Sequence, residues 1–540
     1  MARKSLWSTA PSQDKTVVER VSSMIQPEIL KTDEYDSHNG GTGNDIWAMI
    51  SAAGTGDTRC LKRLLKRNSE LVRCQFSYRA PLHFAVRENQ REAVEVLLKA
   101  GAAPWFRSGS KSHETPIQIA HDREFKDIHA MLTDYMARVY QSTPDGSLLE
   151  EAVKAKDFDR VTALLDSNPA LITETDELGN PALFAAVAAN AFAMVDLLLN
   201  RGADLRSRNA RGAGMLDLAS EVMIGYLLAR GAEIDIRCAS RIGDFDEACR
   251  LLDADLDLAK EITPHLLSPL KLAAEGRHTS IVRLLLERGA DPNAPEHGAG
   301  RGGALHMASA RGHFEIAKIL LEHGADPNAY VESSGDCLLI AKDRKQNHMI
   351  PLLASYGAGS SVYMYLFTEE IEPIAAMFRV DPSLANNLTA FDQAARSGLR
   401  DIVRLFLMYE PDLIKQVSTW GKTAEFTRWL LDQGMPTSLA QHDLFGITQL
   451  HLMAAENQID RASLFLEFGA DPYVRDQEYG STSLAWAARC GHDEMVSFLI
   501  ETGVKTSLPE DPPWATPLAW AEKRGHQEIA EVLRRNGAIA

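Results

Sequence analysis

The chain has 540 residues, 45% hydrophobic and 24% charged, and its 57 Lys and Arg against 74 Asp and Glu give a net charge of −17. These proportions belong to a soluble folded protein, and 36 Gly with 23 Pro exclude collagen-like and wholly disordered chains. The negative balance, with a pI near 5.5, repels phosphate backbones and anionic lipid at long range, so neither nucleic acid nor membrane is expected as a partner.

In chain order, residues 1–43 read as a loose N-terminal segment. Val17, Val18, Val21, Met24 and Ile25 could line a short capping helix that Pro27 would end, and Asp36 to Gly43 reads as a linker. From about Asn44 a repeat takes over. Leucines that open first helices fall at Leu82, Leu183, Leu270, Leu305, Leu450, Leu484 and Leu518. In all seven copies a glycine follows 19 residues later, at Gly101, Gly202, Gly289, Gly324, Gly469, Gly503 and Gly537. Weaker copies begin near Met49, Ile117, Leu149, Leu216, Ile236 and Leu338, for roughly sixteen units in all.

The residues between these markers have mechanical roles. Ser268-Pro269-Leu270 and Thr516-Pro517-Leu518 place a hydroxyl cap and a first-position Pro at a helix start. Gly312-His313 breaks the first helix, and the second carries Ile316, Ala317, Ile319, Leu320 and Leu321 on one apolar face. Gly324-Ala325-Asp326-Pro327-Asn328 then stops it. Several units end instead with a Pro, as at Asn168-Pro169, Asp381-Pro382 and Glu410-Pro411. Two stretches depart from the pattern. Leu216 to Gly231 is four residues short, and between Ala358 and Asp443 the signature fades, with Thr423 to Gly434 leaving little room for a first helix. The expected organisation is therefore 1–43, a repeat stack over 44–357, degenerate repeats with a possible kink over 358–443, and C-terminal repeats over 444–540.

Ala80-Pro81-Leu82-His83-Phe84-Ala85, Gly312-His313 and Gly324-Ala325-Asp326-Pro327-Asn328 together resemble the ankyrin repeat. The resemblance implies an all-α fold: helix–turn–helix units, each followed by a hairpin-like finger loop, stacked into a curved solenoid. It further implies a surface that binds other proteins.

The chemistry-bearing residues read as structure. His278, His313, His492 and His526 fall at the turn between helices, where they are expected to bond backbone and tie neighbouring units. His83, His306 and His451 follow the marker leucine and receive the same reading. Gly298 to Gly303 lacks the strand and the Lys-Ser/Thr helix of a phosphate loop and reads as a lengthened finger. The six cysteines, Cys60, Cys74, Cys238, Cys249, Cys337 and Cys490, have no metal-ligand spacing, so no metal or cofactor is expected. Arg59, Lys62, Arg63, Lys66 and Arg67 form a basic run on an early second helix and read as a solvated outer face. No apolar run approaches the ~18 residues of a membrane helix, and the expected compartment is the cytoplasm.

The expected function is a non-enzymatic scaffold or adaptor, acting as a monomer on partner proteins. The alternative is a regulatory, inhibitory or effector-targeting subunit of a separate enzyme. Aromatic and Arg residues on the tips are the expected anchors: Trp105, Phe106, Arg107, Arg206, Arg208, Arg211, Tyr330, Tyr473, Arg475, Tyr479 and Trp514. Trp486 and Trp520, one period of 34 apart and each in Leu-Ala-Trp-Ala, are added as an apolar ridge in the groove, against the competing reading that both fill inter-unit space.

Overall fold

Helix starts follow from the capping residues. Thr115, Thr143, Ser268 and Thr516 each precede a first-position Pro, and their side-chain oxygens accept the N–H of Gln118 (3.1 Å), Gly146 (2.9 Å), Lys271 (3.1 Å) and Ala519 (3.0 Å). The seven marker glycines end second helices with φ between 82° and 94°. A side chain is strained in that left-handed conformation, which explains the fixed offset. Units without the glycine finish in a 3-10 turn, at Ser69–Arg73, Pro169–Thr173, Leu256–Lys260, Pro382–Ala385 and Pro411–Lys415. Four of these turns are opened by a side chain: Asn68, Asn168, Asp255 and Asp381 accept the N–H two residues on.

This computed structural model describes residues 26, 30–33, 35–36, 40–76, 79–106, 115–210, 212–261, 268–294, 303–329, 336–358, 362–367, 369–417, 420–438 and 446–539. The expected capping helix before Pro27 and the glycine-rich finger at 298–302 lie outside them. The expected linker is partly ordered: Tyr35–Asp36 pairs antiparallel with Gly41–Thr42, and a helix opens at Gly43. Thr42 caps it, accepting the N–H of Asp45 at 3.1 Å.

Fifteen helix pairs and one lone second helix follow among the described residues. The chain divides into two compact units, 1–132 and 133–540. In the first, Gly43–Thr55 packs on Pro81–Arg87 and that helix on Pro116–Asp122. In the second, each first helix lies between its neighbours, as Ser483–Cys490 does between Gln449–Ala455 and Pro517–Lys523. Small buried residues allow the approach; Ala273, Ala274, Ala308, Ala341, Ala487 and Ala521 are all enclosed. The protein is an all-α repeat solenoid.

Both irregular stretches have physical explanations. In the short unit, Met215–Leu218 is a first helix of four residues that runs through Ala219-Ser220 into Glu221–Leu228. Arg241 from the next first helix compensates, donating to the carbonyls of Leu216 (3.2 Å) and Asp217 (3.3 Å) that a longer helix would have used. Arg237, almost wholly buried, meets Asp235 at 2.8 Å, Asp217 at 3.3 Å and Glu261 at 3.6 Å. Further on, the second helix Ala424–Asp432 has no first helix before it and packs on Ile459–Glu467. Gly421 takes part of the vacant place, so close to Phe426 that a Cβ would sit 2.7 Å from its ring. Arg461 bonds the Gly421 carbonyl at 3.2 Å. The apolar cluster from Val362 to Leu533 runs on through this stretch.

Candidate interaction surface

The fingers between second and first helices are held from inside by their own polar residues. Asp176 accepts the N–H of Leu178 (2.9 Å) and Asn180 (2.7 Å). Asn209 accepts that of Ala213 at 3.0 Å. Asp476, deep in the last finger but one, accepts three donors: Tyr479 N–H (2.6 Å), Ser481 N–H (3.1 Å) and the Trp486 indole (2.8 Å). Burial pushes its carboxyl above the ordinary aspartate value, opposed by His451 and these donors. The Asp176/Asn209/Asp476 role was missed in the sequence, although an acidic or amide residue three or four positions before Gly179, Gly212 and Gly480 signals it.

Histidines fasten the fingers to the helices. The Ala80 N–H donates to His83 Nδ1 at 3.2 Å, which leaves Nε2 to donate to the Phe106 carbonyl at 3.1 Å. His451 repeats this with the Thr448 N–H (3.1 Å) and the Ser481 carbonyl (3.0 Å). Burial lowers its pKa, so it stays neutral. The turn histidines bond carbonyls of the preceding unit: His278 to Arg241 (3.0 Å), His313 to Ala274 (2.9 Å), His492 to Ala455 (2.9 Å) and His526 to Arg489 (3.3 Å). Asparagines in the terminal turns add ties, Asn293 to the Gly324 carbonyl at 2.8 Å and Asn328 to that of Gly357 at 3.0 Å. The polar residues named above are spent on structure.

The expected anchors separate on burial. Trp105, Tyr479, Trp486 and Trp520 are only 8%, 3%, 7% and 1% exposed, so they are corrected from anchors to interior residues. The ridge of Trp486 and Trp520 is a buried cluster instead: Tyr479 stands edge-on to both indoles at 5.2 and 5.8 Å, with Trp514 at 6.2 Å from Trp520. The Trp520 N–H donates to Ser481 Oγ at 2.8 Å, and Arg489 stacks over Tyr479 at 4.1 Å. The finger residues Tyr479 and Ser481 fold back over the first helices, which closes the space that sequence position alone left open. Arg475 is half-buried in an ion pair with Asp511 at 2.7 Å. Arg206 and Arg208 are exposed, Arg206 paired with Glu233 and Arg208 donating to the Gly212 carbonyl at 2.8 Å. Phe106, Tyr473 and Trp514 are half-exposed. Arg107, Arg211 and Tyr330 lie outside the described residues.

No grouping of His, Cys, Asp and Glu suited to a metal occurs among the described residues. None of the six cysteines is in a disulfide. Burial pushes the thiols of Cys238 and Cys337 up to about 12, which keeps them unreactive; Cys249 is half-buried. A polar cleft of about 240 Å³ beside the vacant first helix is lined by Ala424, Asn457, Gln458, Ile459, Asp460 and Arg461, with no nucleophile–base pair among them. No described helix is long and apolar enough to cross a membrane.

The model for tandem ankyrin repeats matches residues 236–331, 413–510 and 450–539, and the single-repeat model matches 78–108. The chain is an ankyrin repeat protein. The chain is 30% identical over 177 residues to the palmitoyltransferase ZDHHC13 of Mus musculus, covering 32% of this chain and 28% of that protein. It is also 30% identical over 159 residues to the potassium channel AKT2/3 of Arabidopsis thaliana, covering 29% of this chain and 19% of that one. The chain thus spans less than a third of these relatives. Protein–protein interaction is the activity that ankyrin repeats indicate.

Proposed function

We propose that the chain is a non-enzymatic scaffold that holds partner proteins against its finger tips and the adjoining first-helix face. The observation that carries this reading is the internal anchoring of the fingers. Asp176, Asn209 and Asp476 satisfy the backbone of their own turns, so the tip side chains sit on a frame whose stability does not depend on them. Arg206, Arg208, Tyr473 and Trp514, with Phe106 in the 1–132 unit, are the anchors this supports, since Arg and aromatic side chains dominate binding energy at interfaces. Six cysteines without a disulfide support a reducing compartment, the cytoplasm.

The test compares proteins co-purifying with the full chain and with Arg206→Ala, Arg208→Ala, Tyr473→Ala and Trp514→Ala combined, quantified by mass spectrometry. Loss of a defined partner set, with the helical fold retained by circular dichroism, is the expected result. An unaltered set would remove the tips from the interface.

A further inference from the structure

Several arginines of the 133–540 unit are paired with a carboxylate of an adjacent repeat. Arg201 pairs with Asp166 at 2.6 Å, Arg230 with Asp196 at 2.6 Å, Arg288 with Asp253 at 2.7 Å, Arg311 with Glu275 at 2.6 Å and Arg428 with Glu467 at 2.6 Å. The helix Thr58–Arg67 breaks this habit. Arg59, Lys62, Arg63, Lys66 and Arg67 fall at i, i+3, i+4, i+7 and i+8, one continuous exposed stripe, while Leu61 and Leu64 face inward. The nearby carboxylates are already engaged: Asp45 by Arg67, Glu70 by Arg73 and Glu95 by Lys99. Glu95 feels the charge of Lys62, but among the described residues no carboxylate is in salt-bridge contact with Arg59, Lys62, Arg63 or Lys66. Charge is also unevenly shared along the chain. Residues 1–132 hold 19 Lys and Arg against 16 Asp and Glu, which leaves −20 on the remainder of a chain of net −17.

We propose that this stripe docks an acidic helical segment of a partner protein, as a second interaction surface independent of the finger tips. Ten residues span about 15 Å, and cations recurring every turn match Glu or Asp recurring every turn on an opposed helix. Two other polyanions fit less well. The helix carries no aromatic residue on which bases could stack, and four free cations fall short of the roughly six to ten phosphate contacts of a typical duplex binder. A bilayer needs an apolar face to insert, and the apolar residues Leu61 and Leu64 are committed to the core.

The test uses the full chain and a labelled helical peptide bearing Glu at i, i+3, i+4, i+7 and i+8, titrated by fluorescence anisotropy at low and moderate salt. Saturable, salt-sensitive binding is expected, weakened more than about tenfold by Arg59→Gln, Lys62→Gln, Arg63→Gln and Lys66→Gln together. All four side chains are exposed, so the melting curve should not move. A control removes the same charge elsewhere, with Lys318→Gln, Arg404→Gln, Lys415→Gln and Lys505→Gln, and should change affinity less than about twofold. Absent peptide binding, binding that survives the stripe variant, or an equal loss in the control would overturn the proposal. So would tighter retention, through the same four cations, of duplex RNA or of vesicles rich in phosphatidylserine.

Discussion

Among the described residues Trp520 carries the largest wholly enclosed side chain, and it donates its indole N–H to Ser481, which in turn bonds the Ala515 carbonyl at 3.1 Å. Trp520→Ala is expected to cost about 3–5 kcal/mol, measured by urea denaturation, because the cavity lies between two repeats that cannot both collapse into it. Trp486→Phe keeps most of the volume but takes one donor from buried Asp476; about 1–3 kcal/mol is expected. His451 gives a pH signature. Its folded pKa lies below the ordinary value near 6.5, so the unfolded chain binds more protons in that window. Its contribution is therefore complete above about pH 6.5 and is lost as pH falls through the folded pKa. Asp476, whose pKa is raised, acts with the opposite sign at lower pH, above the ordinary aspartate value. The melting temperature of the wild type should fall as pH drops below about 6.5, and His451→Gln should flatten that slope while lowering stability throughout. An identical slope in the variant would assign the effect to other groups.

At the scale of elements, the short first helix Met215–Leu218 depends on side chains from its neighbour. Removing the Arg237 side chain leaves Asp217 buried without its cation, and Arg237→Ala is expected to cost about 3–5 kcal/mol. Arg237→Met with Asp217→Asn should recover most of that loss. Methionine refills the volume, and the asparagine oxygen can still accept the Gly214 N–H, now bonded at 2.7 Å. If the double variant is as unstable as Arg237→Ala, then geometry rather than charge governs the joint. In a regular unit, Ala308 in Gly303–Arg311 is fully enclosed where neighbouring first helices approach. Ala308→Arg inserts both bulk and an unpaired charge there, and loss of the cooperative transition of the central repeats by circular dichroism is expected.

Across the 133–540 unit, buried apolar residues form successive clusters: Leu149 to Cys238, Ile236 to Leu353 and Val362 to Leu533. The first boundary coincides with the short repeat, where Arg237 and Arg241 replace apolar contact by charge and hydrogen bonds. The second falls at 354–361, across the start of the degenerate stretch. Stability in such a stack is close to a sum of unit and nearest-neighbour terms, so these boundaries are where cooperativity should divide. Hydrogen exchange is expected to show residues 362–539 opening as one block, with a free energy distinct from that of 236–353. A single opening free energy for the whole 133–540 unit would contradict that division.

The sequence by itself determined the period, the helix starts and the helix stops. These rest on local constraints: a cap needs an oxygen, a first-turn Pro needs no N–H, and a φ near 90° needs glycine at Gly202 or Gly289. The histidine ties were legible for the same reason, since His278 and His313 recur at a fixed place in the turn. Even the irregular units were visible as missing residues, though not the arginines that repair them. Exposure at the candidate surface was decided only by tertiary structure. Trp486 and Trp520 share one local sequence and a period, which fixes their face on the first helix but not what covers it. The cover comes from Tyr479 and Ser481, on a finger pulled inward by Asp476, and that contact joins residues up to 39 positions apart. Tyr473 and Trp514, chosen by the same criterion, remain half-exposed. A helical period reports direction; burial depends on the neighbour, and the neighbour is set by the stack.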